Sequence, residues 1–260
     1  MQTLAVLPAL RLTAALNALV GDAVVSGEMW IRSVVGPEVA HHVVDLDDLL
    51  ALGGAGSTAL SDALPQLIAV EPEQWMLSLP APGALGGLRG PADLNVAALE
   101  QGSAVVAGTA GVALVPFRVG PAIQWRVFEA ERPLLPPSPY DAERELSETV
   151  LRAAATLQRL DVAAGDRPTD HGLRLPTAYP NRQRLAADRA ARLYAACEVA
   201  LADDGASLSS YEADVRAREL RAVRDAARTA LCAAVTWRRT PDDTGSAAVR
   251  SPARSGERRI

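Results

Sequence analysis

One stretch of alternating polarity, residues 103–129, constrains the fold of this chain more than any other part of its sequence. It reads SAVVAGTAGVALVPFRVGPAIQWRVFE, three short β-rich segments that are separated by glycine-containing turns. A period of two and an excess of β-branched residues are typical of strands joined in succession. The stretch therefore predicts a three-strand meander. Pro116 lies within its middle strand and has no amide proton, so we expect that strand to be bulged or partly at a sheet edge.

The rest of the N-terminal half is predicted to alternate between strands and helices. Further strands are expected at 39–46 and 74–79, where β-branched or aromatic residues dominate. Helices are expected from Pro8 to a stop at Gly21, from an N-cap at Ser61 with Pro65 in the first turn, and from Pro91 to a stop at Gly102. The sequence thus predicts an α+β domain over 1–137, with a small mixed or antiparallel sheet that ends in the meander and is covered by helices.

A short proline-rich linker separates this domain from three amphipathic helices in succession, which predict an antiparallel helical bundle over 138–237. Ser138 is placed as the N-cap of the first helix. Ser209 opens a capping box, S-S-Y-E, at the start of the last. Residues 238–260 have no periodicity and few apolar side chains, so we expect a disordered, arginine-rich tail.

All 26 basic residues are arginine, and this absence of lysine excludes several chemistries. A P-loop lysine, a kinase strand lysine, a Schiff-base lysine and a Ser–Lys dyad are impossible in such a chain. The net charge of −5 argues against a protein built mainly to hold nucleic acid. The tail carries six arginines against three acidic residues, which leaves a weak, salt-sensitive contact with nucleic acid as the exception.

The histidines and cysteines do not form a recognisable metal or catalytic pattern. His41 and His42 are adjacent on a predicted strand and would point to opposite faces, and His171 is distant along the chain. Cys197 and Cys232 lie in Ala-rich helical sequence, where a thiol is typically a small buried hydrophobe. The sequence therefore assigns no catalytic residue, no metal site and no cofactor.

A glycine-rich loop that leads into a helix is the best candidate for ligand binding. The loop occupies residues 83–90, and the helix begins just after it. Backbone amides at a helix N-terminus, with an arginine beside them, can hold a phosphate or carboxylate. The candidate anion-binding residues are Gly86, Gly87, Arg89, Gly90, Asp93 and Asn95. The spacing matches neither a dinucleotide fingerprint nor a Walker A motif.

Four segments of the chain together resemble a known family. They are LPAPGALGGLRGPADLNVAALEQGSAVV, GVALVPFRVG, WRV and ALADDGASLSSYEADVRARELRAVRDAARTAL, of which LADDG is the most distinctive part. Over most of residues 5–235 the chain resembles a family of conserved actinobacterial proteins of unknown function. The resemblance implies a bacterial cytoplasmic protein and supplies no activity or cofactor. No run reaches the ~18 apolar residues of a membrane span, so we expect no membrane contact.

These observations favour one functional hypothesis and leave an alternative open. The first is a non-catalytic interaction or scaffold protein whose helical region or sheet face binds another macromolecule, most simply a protein. It is favoured by the lack of catalytic motifs and by the arginine-rich helix faces. The alternative is a protein or enzyme that binds a small anionic ligand with loop 83–90 and the following helix N-terminus.

Overall fold

A computed structural model describes residues 5–20, 27–53, 56–109, 111–160, 173–202 and 209–236. The predictions for Gly21, His171 and the tail concern residues outside these ranges. The helices are α1 (Leu7–Val20), α2 (Gly27–Val34), α3 (Leu60–Val70), α4 (Ala92–Gln101), α5 (Pro139–Leu160), α6 (Asn181–Ala200) and α7 (Ser210–Thr236). The strands are β1 (His41–Val44), β2 (Ser57–Ala59), β3 (Trp75–Ser78), β4 (Ala104–Ala107), β5 (Val112–Val119) and β6 (Ala122–Glu129). None of these helices is long and apolar enough to cross a membrane.

The six strands form one mixed sheet in the order β2-β1-β6-β5-β4-β3. From β3 to β6 each strand pairs antiparallel with the next, whereas β1 runs parallel to β6 and β2 returns antiparallel beside β1. The predicted α+β class is confirmed. The sequence did not predict β2, because three residues are too few to display a period.

Pro116 lies where β5 has a neighbour on one side. The pairing of β5 with β6 continues without a bulge through Pro116, which lies opposite Trp125. On its other side, β5 pairs with the shorter β4 at Ala113 and Leu114. On the side of β4, Pro116 therefore lies at an edge of the sheet, as predicted, and no bulge is present. Its missing amide proton removes no hydrogen bond to β4.

The larger hydrophobic core lies on one face of the sheet, which we call the inner face. Trp75 and Trp125 project from it and are fully buried in one cluster with apolar residues of α1, α2 and α3. The same cluster continues through Leu146 of α5, Ala190 of α6 and Leu231 of α7. The residues on either side of the proline-rich linker thus share one core, and their burial stabilises both halves together.

A smaller cluster covers part of the opposite, outer face. It joins Leu94 and Ala98 of α4 to Val106 of β4 and Val115 of β5, with Leu88 from the glycine-rich loop. The predicted end of α4 is confirmed, since Gly102 caps it in the left-handed conformation, at φ 70°.

The last turn of α7 covers the free edge of β3, the terminal strand of the sheet. Asn17 of α1 accepts a hydrogen bond from the Trp75 amide and donates one to the Trp75 carbonyl, each 2.8 Å long. The Leu77 amide donates to the Thr236 hydroxyl, 3.2 Å away. Side chains therefore take the place of a further strand and block pairing with another chain.

Side chains also satisfy the carbonyl oxygens at the C-terminal end of α7, which helix geometry leaves unpaired. The donors are Asn17 and Tyr179 to Val235, Gln183 to Ala234, and Gln74 to Thr236. These contacts tie α7 to α1, to the start of β3 and to α6. Elsewhere α7 packs against both α5 and α6.

Two of the three predicted N-caps are confirmed. The Ser138 hydroxyl accepts a hydrogen bond from the Asp141 amide at 3.1 Å, and Ser209 accepts one from the Glu212 amide at 3.2 Å. The prediction for Ser61 is wrong, because α3 begins one residue earlier and its N-cap has no side-chain hydrogen bond. Pro65 consequently lies inside α3 rather than in its first turn, and the helix loses one internal hydrogen bond there.

Candidate functional site

The glycines of the predicted anion loop lie close to the protein's own backbone. Gly86 and Gly87 have positive φ angles of 60° and 84°. A Cβ at Gly86 would lie 3.1 Å from the Leu79 carbonyl oxygen, and one at Gly87 would lie 2.8 Å from that of Leu134. Backbone conformation and close packing therefore account for glycine at both positions.

The other predicted residues of this loop do not converge. Arg89 is 54% exposed in its side chain and lies 3.9 Å from a carboxylate oxygen of Glu131. The Asp93 carboxylate accepts a hydrogen bond from the backbone amide of the next residue, while the side-chain amide of Asn95 donates to the Gly90 carbonyl at 3.0 Å. The buried Asn95 Oδ1 has no partner, but it is an acceptor, which an anion does not satisfy. Anion binding by this loop stays a prediction.

A different surface has the composition of a binding site, and it lies on the outer face of the sheet beyond α4. The strand register places there a set of side chains that we call the open face: His42, Val44, Phe117, Val119, Gln124, Arg126 and Phe128. In β6, the inward residues Ile123, Trp125 and Val127 are buried and the outward ones are not, whereas every residue of β4 is buried. The described helix that covers the outer face is α4, which supplies residues to the outer cluster and packs against β5.

Arg126 and Phe117 form the centre of the open face. The guanidinium carbon of Arg126 lies 4.1 Å from the centroid of the Phe117 ring, and Nε donates to Gln124 at 3.1 Å. No carboxylate lies within ion-pair distance of Arg126 in the part of the chain that the structure describes. Val119 at the end of β5 is 55% exposed. Aromatic residues and arginine are enriched at the energetically important centres of protein interfaces.

A buried polar cluster lies behind this surface, where β1 begins. The fully buried Glu38 carboxylate accepts hydrogen bonds from the Gly36 amide at 3.0 Å and from Arg11 at 3.3 Å. Arg118 and His41 Nε2 each lie 3.9 Å from it. Two guanidinium groups thus balance the charge of one buried carboxylate, which ties α1 and β5 to the chain entering β1.

His41 is not poised as a catalytic base. Its Nδ1 accepts a hydrogen bond from the Trp125 indole at 3.2 Å, so the neutral ring carries its proton on Nε2, which lies toward Glu38. Burial lowers the pKa of His41 and outweighs the opposing effect of Glu38. The predicted opposition of the two histidines is confirmed, since His41 is buried on the inner face and His42 is half-buried on the outer face.

Glu71 is a second buried carboxylate, and its hydrogen bonds are fully used within the fold. It accepts bonds from the amides of Glu73, Gln74 and Thr109 and from the Thr109 hydroxyl, at 2.7–3.0 Å. Burial raises the pKa of Glu71, but these hydrogen bonds together outweigh that effect and hold the pKa below its ordinary value. Glu71 therefore joins the entry to β3 with the turn after β4. Among the described residues, no three His, Cys, Asp or Glu side chains are grouped to hold a metal ion.

Sequence reasoning missed both the open face and the Glu38 cluster. The open face had a signal in Ile-Gln-Trp-Arg-Val, residues 123–127, because polar residues alternate with large apolar ones there. Glu38 had none. Its neighbours Arg11 and Arg118 are distant in the sequence, and only the tertiary fold brings the three together.

The fold defines a mixed α+β protein with a six-stranded sheet. Comparison with family models places it further: residues 10–141 match the model of the Rv1486c-like protein N-terminal domain, and residues 140–232 match that of the C-terminal domain. The chain belongs to this Rv1486c-like family. The descriptions name no activity, which agrees with the predicted resemblance to a conserved family of unknown function, while its actinobacterial range stays a prediction. No curated protein and no solved structure matches the chain.

Proposed function

We propose that this protein is a non-catalytic interaction protein that binds another protein through the open face. The observation that carries the proposal is the arginine–aromatic pair, in which the exposed Arg126 lies over the half-buried Phe117 ring on a part of the sheet that α4 does not cover. A sheet surface of this kind suits a protein partner better than a small molecule, which requires a concave pocket.

The chemistry of the open face favours a partner that is apolar with an acidic group. Phe117, Phe128 and Val119 supply partly exposed apolar area, whose burial is favourable. Arg126 presents guanidinium donors that have no carboxylate partner in the described residues, and arginine pairs with a carboxylate in a bidentate geometry. We therefore expect an aspartate or glutamate of the partner to bind Arg126 beside the Phe117 ring.

Site-specific photo-crosslinking in the native host tests this proposal. With benzoylphenylalanine in place of Phe117, we expect one discrete adduct, which disappears when Arg126→Glu is added. The control places the same group at Leu151, which is 72% exposed on α5. An adduct of twice the chain mass would identify a second copy as the partner. The proposal is wrong if both positions give the same adducts, or if position 117 gives none.

A further inference from the structure

A cavity beside the start of α6 has an excess of positive charge. It is open to solvent and has a volume of about 370 Å³ between the segment that precedes α6 and the first turns of the helix. Among the described residues, its lining includes three arginines, Arg174, Arg184 and Arg192, but a single acidic residue, Asp188. The volume lies near the lower end of the range for small-molecule sites, which suits a ligand of a few to a dozen heavy atoms.

Two of the three arginines in this cavity have no carboxylate partner in the described residues. Asp188 accepts a hydrogen bond from Arg192, one helical turn away, and this pair is internally neutral. Arg184 donates through Nη2 to the Asn181 side chain at 3.1 Å and forms no ion pair with Asp188 or any other acid among the described residues. Arg174 is exposed at the cavity edge. The described residues that line the cavity thus carry a net charge of about +2.

Arg184 also leaves a donor without a hydrogen-bond partner. Its Nε atom is buried from solvent and unpartnered, although the residue as a whole is only partly buried. A buried donor without a partner is unfavourable, and more so when the group is charged. Because Nε has no contact with solvent, an anionic oxygen in the cavity would accept hydrogen bonds from the outer Nη atoms of Arg184 instead. Leu173 and Leu175 are buried and give the cavity lining an apolar part.

The start of α6 adds to the positive potential. Asn181 is the first residue of the helix, and Pro180 at the N-cap offers no side-chain hydrogen bond to the first turn. The positive end of the helix dipole therefore lies at the same cavity as the unpaired guanidinium groups.

We propose that this cavity binds a small organic phosphate monoester, whose phosphate contacts Arg174 and Arg184 and whose apolar part lies on Leu173 and Leu175. A phosphate monoester carries a charge of about −1.5 to −2 at neutral pH, which matches two unpaired guanidinium groups, whereas a carboxylate matches one. Arginine binds phosphate oxygens through two parallel hydrogen bonds. This inference goes beyond the proposed protein-binding function and does not depend on it.

Isothermal titration of the full chain with phenyl phosphate tests the site, with inorganic phosphate and chloride compared at equal ionic strength. We expect saturable binding of phenyl phosphate, weaker binding of inorganic phosphate and none of chloride. Arg184→Gln should weaken phenyl phosphate binding about tenfold or more, because a hydrogen bond to a charged group is lost. Arg189→Gln is the matched control, since Arg189 lies on the same helix, donates to Ser147 of α5 and does not line the cavity.

Arg174→Gln provides a second variant, because an exposed side chain can be replaced without unfolding the protein. It should weaken binding as well, while circular dichroism shows an unchanged fold. The assignment is overturned if phenyl phosphate does not bind saturably, or if Arg174→Gln and Arg184→Gln both bind as tightly as Arg189→Gln. Equal affinities for phenyl and inorganic phosphate would overturn the organic ligand class.

Discussion

Replacing Asn17 with leucine should test how the fold protects its sheet edge. Asn17 is 3% exposed and bonds both backbone groups of Trp75, which is fully buried. Leucine fills a similar volume but leaves the Trp75 amide and carbonyl without these partners. An unsatisfied buried backbone group costs about 1–3 kcal/mol, so the two together should lower the free energy of unfolding by about 2–6 kcal/mol. That is a large part of the ~5–15 kcal/mol that stabilises a typical protein.

Urea unfolding followed by far-UV circular dichroism measures this loss, and Tyr179→Phe provides the comparison. Val235 accepts hydrogen bonds from both Asn17 and Tyr179, so either single variant leaves its carbonyl one donor. Tyr179→Phe alone should therefore cost only about 0.5–1.5 kcal/mol. In the double variant both donors are gone, and the loss should exceed the sum of the single losses. A loss below ~1 kcal/mol for Asn17→Leu, or strict additivity in the double variant, would refute this reasoning.

Three further predictions follow from buried groups. Glu71→Gln should lower the free energy of unfolding at pH 7 by about 1–3 kcal/mol, because the glutamine NH2 group would face N–H and O–H donors where the carboxylate accepts hydrogen bonds. The pKa of Glu71 is lowered in the folded protein, so the stability that its carboxylate contributes is lost as the pH falls below about 4.5. In acid unfolding curves the variant should therefore lose less stability than the wild type. Gly36→Ala should lower the free energy of unfolding in urea by about 1–3 kcal/mol, because its Cβ would lie 2.7 Å from the Glu38 carboxylate and collide with the Arg11 guanidinium. Gly56→Ala is the control: no atom lies within 4 Å of the added Cβ, so stability should change by less than ~0.5 kcal/mol. Equal losses in the two variants would show that the steric clash at Gly36 does not affect stability. Burial raises the pKa of Cys197 to about 11 and of Cys232 to about 12. A disulfide reagent at pH 8 should therefore label both thiols rapidly in urea but label both slowly in the native protein. Fast labelling of the native protein would contradict this prediction by showing that the thiols are accessible.

The sequence determined the elements whose signals are local. Alternation over 103–129 predicted strands because side chains on a strand point to opposite faces in turn. Gly102 predicted the end of α4, and Ser138 and Ser209 predicted helix starts, since each acts on the backbone within three residues of itself. Ser61 was misleading because serine is also tolerated inside a first helical turn, and the register of α3 is set by burial of Leu60 and Leu67 against the core.

The tertiary structure alone decided what lies next to what, because those contacts join residues far apart in the chain. The parallel pairing of β1 with β6 brings His42 beside Gln124 and so adds β1 to the open face that β5 and β6 form. The return of α7 to the edge of β3 brings Thr236 to Leu77. Loop closure of this kind depends on the summed burial of the whole core rather than on any local pattern, so no short stretch of sequence encodes it. For the same reason the sequence pointed to a glycine-rich loop, whereas the structure directs attention to the open face and the cavity beside α6.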